Sequence, residues 1–440
     1  MSKLIQDLSC GRISATEAIE RSLAAYLTWE PQLRAFAWLD TNAARSKASE
    51  CDTNGPEPER PLHGVPVGIK DIFDTAGVPT EYGSPIFKGR TPERSARAVS
   101  RLESAGALMF GKTVTAELAY FAPGPTTNPW NPQRTPGGSS MGSAAAVAAG
   151  VVPMAIGTQT NGSVIRPAAF CGVVGFKPTA GRLPTDGALR FSPSLDQLGV
   201  FAMTVEDAAR LAAVIAGDVQ VDWAPASELS SQPTLAVVRT PEWSSAEDGA
   251  RIQFDSDLAA AQAAGATLRE LELPASLAEA LAVHRTIMAA EAHRFVGPLV
   301  MKDRDRCSPQ LLSLLDAGAA VTPAYYERAL LAQQSLKQQF DAWFAGFDAI
   351  ATLPTLGEAP GVETTGDPKF CTRWTLVGAP ALTLPTGLGP SGMPLGIQLV
   401  GRVGGDQELL GVARWFESLR PGPGQPPAPG DRGTVQVGVG

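Results

Sequence analysis

Three separated stretches carry the residues with the most chemical capacity: Gly64-Val-Pro-Val-Gly-Ile-Lys70-Asp71, Pro136-Gly-Gly-Ser139-Ser-Met-Gly-Ser143 and Gly157-Thr-Gln-Thr-Asn-Gly-Ser163-Val-Ile-Arg166-Pro. They offer one lysine and two serines in glycine-rich surroundings. A serine hydroxyl is a poor nucleophile near neutral pH and needs a base within hydrogen-bonding reach. Lysine serves as that base only when neutral, and burial after the apolar run Val65–Ile69 favours the neutral amine because desolvation penalises the ammonium. Taken alone, Lys70 beside Asp71 also reads as a surface ion pair. Between Arg134 and Arg166 no residue is charged, although Gly, Ser, Thr, Ala and Pro crowd the stretch. Buried hydroxyls and amides need partners, so this stretch reads as a site, and the three pieces outline a hydrolase that activates a serine without histidine.

Composition removes other classes. The 440 residues are 44% hydrophobic and 18% charged, enough for a large core as one domain or as a core plus insertion. A net charge of −8 offers no basic field for nucleic acid or an anionic membrane. The first residues lack an apolar signal core, and no run approaches the roughly 20 apolar residues of a membrane span, so a cytoplasmic location is expected. Cys10, Cys51, Cys171, Cys307 and Cys371 are scattered without a C-x-x-C pair and read as reduced, packed thiols. The three histidines sit in no ligand-spaced motif. His63 reads as a structural or supporting residue, and His284 and His293 as ordinary helix residues. No metal and no cofactor are expected.

The motifs, in this order and with Lys70 and Ser139 standing 93 and 24 residues before Ser163, resemble the amidase signature family of serine hydrolases, from Leu4 to about Arg402. The resemblance implies an α/β fold with a large mixed β-sheet covered by helices on both faces. It also implies that Ser163 is the nucleophile, Ser139 a bridging serine after a non-proline cis peptide bond, and Lys70 the base. Backbone N–H groups of Thr160, Asn161, Gly162 and Ser163 would then form an oxyanion hole. Ser140 and Ser143 read as caps or backbone partners of the Ala144–Ala149 helix. The chain departs from the common pattern at three places: Gln159 stands where aspartate is usual, Asn161 replaces a glycine, and arginine falls at Arg166, one residue late. Asn161 tolerates left-handed backbone, which keeps the turn feasible, whereas Gln159 removes a supporting charge. Arg166 reads as an anchor for loop carbonyls or a carboxylate.

Around these motifs, Leu4, Ile5 and Leu8 open a helix and Ser14 to about Leu27 form a second. Residues 51–61 read as a loop, Val65–Ile69 as a buried strand, Thr91-Pro92 as a helix start running to Gly106, and Ala107–Phe110 as a strand. Helix and strand alternate again over Phe254–Ala264 and Thr267–Leu273, and over Thr322–Phe344 and Ala349–Leu353, as in α/β sheets. Trp374–Pro385 and Met393–Gly401 read as two core strands. Residues 1–420 are assigned to the amidase signature domain, with 217–348 a variable helical section at the active-site mouth, and 421–440 to a Pro/Gly-rich tail.

The expected activity is hydrolysis of amide-type C–N bonds through an acyl-enzyme, on neutral aryl or alkyl amides and on carbamates or urethanes. The alternatives are a glutamine-hydrolysing subunit of an amidotransferase complex, a urea-like (biuret-type) amidohydrolase, or a binding protein on an inactive scaffold. A small-molecule amide or carbamate is the expected partner, with no nucleic acid, no membrane, and a homodimer open. The aromatics Trp243, Phe254, Phe295, Tyr325, Tyr326, Phe340, Trp343 and Phe347 read mostly as core, with a few joining Tyr120 and Phe121 at an apolar mouth.

Overall fold

A strand buried along its whole length is stable only between two other strands and under two layers of side chains, and Pro66–Lys70 is placed that way. All five of its residues are buried. The structure, a computed structural model, describes residues 3–57, 59–218, 223 and 232–430. Among these, eleven strands join in one mixed sheet: β1 Phe36–Trp38, β2 Pro66–Lys70, β3 Leu108–Thr113, β4 Met154–Gln159, β5 Val174–Lys177, β6 Gln197–Ala202, β7 Thr234–Val237, β8 Thr267–Glu270, β9 Ala349–Thr352, β10 Ala381–Leu388 and β11 Pro394–Val400. Their order across the sheet is β1-β3-β2-β4-β6-β5-β10-β11-β9-β7-β8. β2 runs parallel to β3 and β4, and β4 antiparallel to β6.

Successive side chains of a strand point to opposite faces, and the core divides accordingly. Met154 and Ile156 of β4 join one apolar cluster with Val99, Leu102, Leu211 and Val214 from the helices Arg97–Ser104 and Val205–Ala216. Ala155, between them, joins another with Ile19 and Leu23 of the helix Ala15–Leu33 and with Ala144–Val147 of the helix Met141–Ala148. Helices therefore cover both faces of a large mixed sheet, as the resemblance implies. The helix Met141–Ala148 is buried at every residue. It approaches so closely that a Cβ at Gly142 would lie 2.1 Å from the carbonyl oxygen of Ala35. No helix among the described residues is long and apolar enough to cross a membrane.

Several local expectations are corrected. The second helix continues past exposed Leu27 to Leu33 because Trp29 and Leu33 are buried. The helix Thr41–Asn54 takes in Cys51–Asn54, whose first residue extends the buried stripe Ala44, Ala48, Cys51, so the loop starts at Gly55. Thr91-Pro92 is not a helix start: the Thr91 hydroxyl donates to the Gly89 carbonyl and the Pro92 carbonyl accepts from Gly77, which holds this segment as loop until Arg97. Trp374 to Val377 end the helix Lys369–Val377, and β10 begins only at Ala381. Between residues 217 and 348 the chain also supplies β7 and β8 to the sheet. The tail is draped on the surface as far as residue 430, with Gln425 over Gly150 and Pro426 buried, and residues 431–440 lie outside the described residues.

Candidate active site

The parallel strand β2 delivers Lys70 into the interior, where it is fully buried. Its Nζ lies 2.8 Å from Ser139 Oγ and 3.0 Å from Thr158 Oγ1. Burial pushes the Lys70 amine well below the ordinary lysine range, while the Asp196 carboxylate pulls in the opposite direction. A neutral amine has a lone pair as well as N–H donors, so the proton between Lys70 and Ser139 can sit on either atom. Lys70 is not paired with Asp71. The Asp71 carboxylate instead faces Lys112 Nζ at 3.1 Å, and both groups are buried.

Ser139 follows a cis Gly138–Ser139 peptide bond, and its carbonyl accepts from Ala116 N–H. Gly137 has a φ of 80°, and a Cβ there would lie 2.7 Å from Pro167 Cα, so the Gly-Gly run passes where no larger residue fits. Ser140 and Ser143 serve the backbone, donating to the Thr158 and Ile156 carbonyls of β4. Ser163 stands two residues before the helix Ile165–Cys171. It shares a small chamber with Thr160, Asn161, Arg166, Phe121 and Met288, and its hydroxyl has no hydrogen-bond partner among the described residues.

The turn between β4 and that helix is tied from several sides. Gln159 Oε1 accepts from the N–H groups of Val164 (2.8 Å) and Ile165 (3.0 Å), and its Nε2 donates to Thr375 Oγ1. The Thr375 hydroxyl donates to the Asn161 carbonyl at 2.6 Å. The neutral amide therefore supplies the support that a carboxylate was expected to give. Asn161 is not left-handed; among the described non-glycine residues only Arg34, Tyr82, Leu118 and Ala119 have positive φ. Its side chain works instead as an acceptor for Thr372 Oγ1 at 2.6 Å. The N–H groups of Asn161, Gly162 and Ser163 have no protein acceptor among the described residues.

Arg166 is buried, and its Nη2 donates to the Gly138 carbonyl at 2.7 Å, an anchor of the expected kind. Its Nε and Nη1 have no protein partner among the described residues, and its guanidinium lies 5.3 Å from the Phe121 ring centre. Burial lowers its pKa to about 10, where it remains a cation at neutral pH.

Three further residues contribute. Thr158, inside the third glycine-rich stretch but given no role by it, holds Lys70. Asp196, its pKa raised by burial, accepts from Thr160 Oγ1 at 2.6 Å and from the N–H groups of Phe191 and Ser192. His284 is not an ordinary helix residue: fully buried, it bonds the Thr160 carbonyl through Nε2 at 2.8 Å. On the same helix, Glu291 accepts from Ser192 Oγ, Ser194 N–H and Tyr326 Oη. His63 lies elsewhere, against Cys51.

Beyond the chamber opens a cleft of about 590 Å³ lined by Tyr120, Phe121, Leu281, Met288 and Leu314, with Arg285 and the Asp367–Lys369 pair at its edge. None of the eight aromatics expected between residues 217 and 348 lines it; Phe340 and Trp343 pack on Trp374, and Trp243 on Phe254. Tyr120 and Phe121 do face it, together with aliphatic residues and the polar Asn161, His284, Ser313 and Thr372.

This sheet and this site define a class, and residues 17–410 match the amidase family. The chain belongs to the amidase signature family. It is 37% identical to the A-type subunit of the glutamyl-tRNA(Gln) amidotransferase of Anaeromyxobacter dehalogenans, over 94% of this chain and 95% of that one. Among solved structures, one described as an amidase is 32% identical and superposes with a TM-score of 0.87, covering 95% of this chain and 99% of its own. The corresponding amidotransferase subunit from Thermotoga maritima is 29% identical, with a TM-score of 0.80 over 94% of each chain.

Proposed function

We propose that the chain hydrolyses a carboxamide through an acyl-enzyme on Ser163. The observation that carries this reading is the buried Lys70 amine, hydrogen-bonded to Ser139 and held toward its neutral form. Ser163 Oγ attacks the amide carbon as its proton passes through Ser139 to Lys70. The oxyanion is received by the free N–H groups of the turn. The C–N bond then breaks as the proton returns through Ser139 to the leaving nitrogen, and water repeats the sequence on the ester.

For the substrate, the relatives' names support the glutamine-hydrolysing subunit of an amidotransferase more than the neutral-amide reading of the sequence. The open Nε–H and Nη1–H of Arg166 beside the Ser163 chamber suit a substrate that carries a further acceptor oxygen. A free-standing amidase for neutral aryl or alkyl amides is the second reading, favoured by the apolar cleft lining of Leu281, Met288 and Leu314. Comparing kcat/KM for glutamine, a neutral anilide and an aryl carbamate tests both, with the purified chain alone and then with the other components of an amidotransferase. Glutaminase activity that rises on adding those components supports the first reading. A neutral amide preferred by the isolated chain supports the second. Failure on every amide overturns the hydrolase reading.

A further inference from the structure

We infer that His284 is a positioning residue that fixes the direction of the Thr160–Asn161 peptide, so that the Asn161 N–H is presented to the reacting carbonyl. The inference rests on the acyl-enzyme reading and identifies what aligns its oxyanion site.

A carbonyl oxygen only accepts, so the 2.8 Å contact requires His284 Nε2 to carry the hydrogen and donate it to Thr160 O. Burial lowers the imidazole pKa to about 4, so the ring stays neutral at ordinary pH and the hydrogen bond itself selects the Nε2–H tautomer. In a planar trans peptide the C=O and the following N–H point in opposite directions. With Thr160 O directed at His284, the Asn161 N–H is directed away from it.

The same holds for the next two carbonyls of the turn: Asn161 O accepts from Thr375 Oγ1 and Gly162 O accepts from Arg166 N–H. Every carbonyl from 160 to 162 therefore has a donor, while the N–H groups of 161 to 163 are free among the described residues. Of the three donors only His284 comes from the section between residues 217 and 348. Thr160 is gripped on a second side by Asp196, through its hydroxyl, but a side-chain bond leaves the peptide plane free to turn. His284 is the group that stops it.

The test compares His284→Leu, which has no donor, with His284→Gln, whose amide restores one; His284→Phe replaces Leu if that variant does not fold. Losing one oxyanion donor costs about 10²- to 10³-fold in rate, so kcat of His284→Leu is expected to fall by about 10²-fold, with KM changed less than about threefold. Affinity for a substrate-like aldehyde, which forms a tetrahedral adduct on Ser163, should fall by a similar factor. Affinity for the matching unreactive alcohol should not change. His284→Gln should recover kcat to within about tenfold of wild type. A crystal structure of His284→Leu should show the Thr160–Asn161 peptide rotated. Loss of kcat without loss of aldehyde affinity, or no recovery in His284→Gln, would make His284 a packing residue only. A peptide unrotated in His284→Leu overturns the inference whatever the activity, and a wild-type chain inactive on all amides overturns the hydrolase reading while leaving this crystallographic result to decide.

Discussion

Asp71 directs its carboxylate at Lys112 and not at Lys70, the residue beside it in the chain. The Asp71–Lys112 ion pair spans 3.1 Å with both side chains buried, and Lys112 Nζ is further held by the Phe73 carbonyl and Thr80 Oγ1. One buried lysine thus receives a counter-charge and its neighbour in the sheet does not. Among the described residues Lys70 has hydroxyl partners only, with Asp196 acting at longer range. Desolvation then dominates at Lys70, and a neutral amine is the form a proton acceptor needs.

Removing members of the proton-transfer unit should not give additive losses. Ser163→Ala is expected to abolish turnover, and Lys70→Ala and Ser139→Ala each to lower kcat by about 10³-fold or more. Combining them should cost little beyond the worst single variant. Rates on the preferred amide provide the check, and a Lys70→Ala variant retaining more than about a tenth of wild-type kcat contradicts the lysine-base assignment.

The pH profile has a definite sign. On the lysine-base reading the active form is the unprotonated Lys70 amine, so kcat/KM should rise with pH along a single limb whose midpoint lies below lysine's ordinary value of about 10.4. Asp196 raises the Lys70 pKa, and Asp196→Asn should therefore move that limb to lower pH while also weakening the hold on Thr160. A limb that moves to higher pH in Asp196→Asn would show that the titrating group is not Lys70.

Lys177, at the end of β5, offers a stability test away from the chemistry. It is fully buried, donates to Gln197 Oε1 and the Ala379 carbonyl, and burial lowers its pKa to about 7. Between about 7 and the unfolded value of about 10.4 the unfolded chain binds one proton more than the folded one. Stability should therefore rise with pH across that window and lose this slope below it, where both states are protonated. In Lys177→Met the contribution disappears, so the difference in urea midpoint between wild type and variant should change steadily from about pH 7 to about pH 10. A constant difference over that range would mean Lys177 keeps its charge when folded.

Lys70, Ser139 and the Thr160–Ser163 turn are legible in the sequence because each sits in a contiguous glycine-rich stretch whose backbone path depends on local residue types. Asp196 and His284 are not. They reach Thr160 across 36 and 124 residues of chain, and neither a lone carboxylate after Ser-Leu nor a lone histidine on a helix has a local signature. The fold is legible for a similar reason: the largely apolar runs of β2, β9 and β11 are short, continuous and buried throughout. The edge strand β1 has three residues and none of them is buried, and the segment 91–96 is held by tertiary hydrogen bonds that override a helix-start pattern. At the mouth, Phe340 and Trp343 go to the core around Trp374 while Tyr325 stays exposed, and the helices line the cleft with Leu281, Met288 and Leu314 beside the polar His284 and Ser313, which no periodicity sets apart.

Gln159 shows how a departure from the family pattern becomes a measurable property. Its Oε1 receives two backbone N–H groups at the start of the helix Ile165–Cys171, and its Nε2 donates to the hydroxyl that in turn holds Asn161 O. A carboxylate at this position accepts the two N–H groups at least as well, since ionised acceptors make the stronger bonds. It cannot donate to Thr375, whose single hydroxyl proton would then be contested between the carboxylate and Asn161 O. Gln159→Glu should therefore keep the helix start and loosen Asn161, lowering kcat by about tenfold with little loss of stability. Gln159→Ala leaves both N–H groups unsatisfied in the interior and should cost about 1–3 kcal/mol of stability together with a larger loss of kcat. Urea titration and rates on the two variants separate the outcomes, and a Gln159→Glu variant as unstable as Gln159→Ala would mean that the amide's donor, and not its acceptor, holds the turn together.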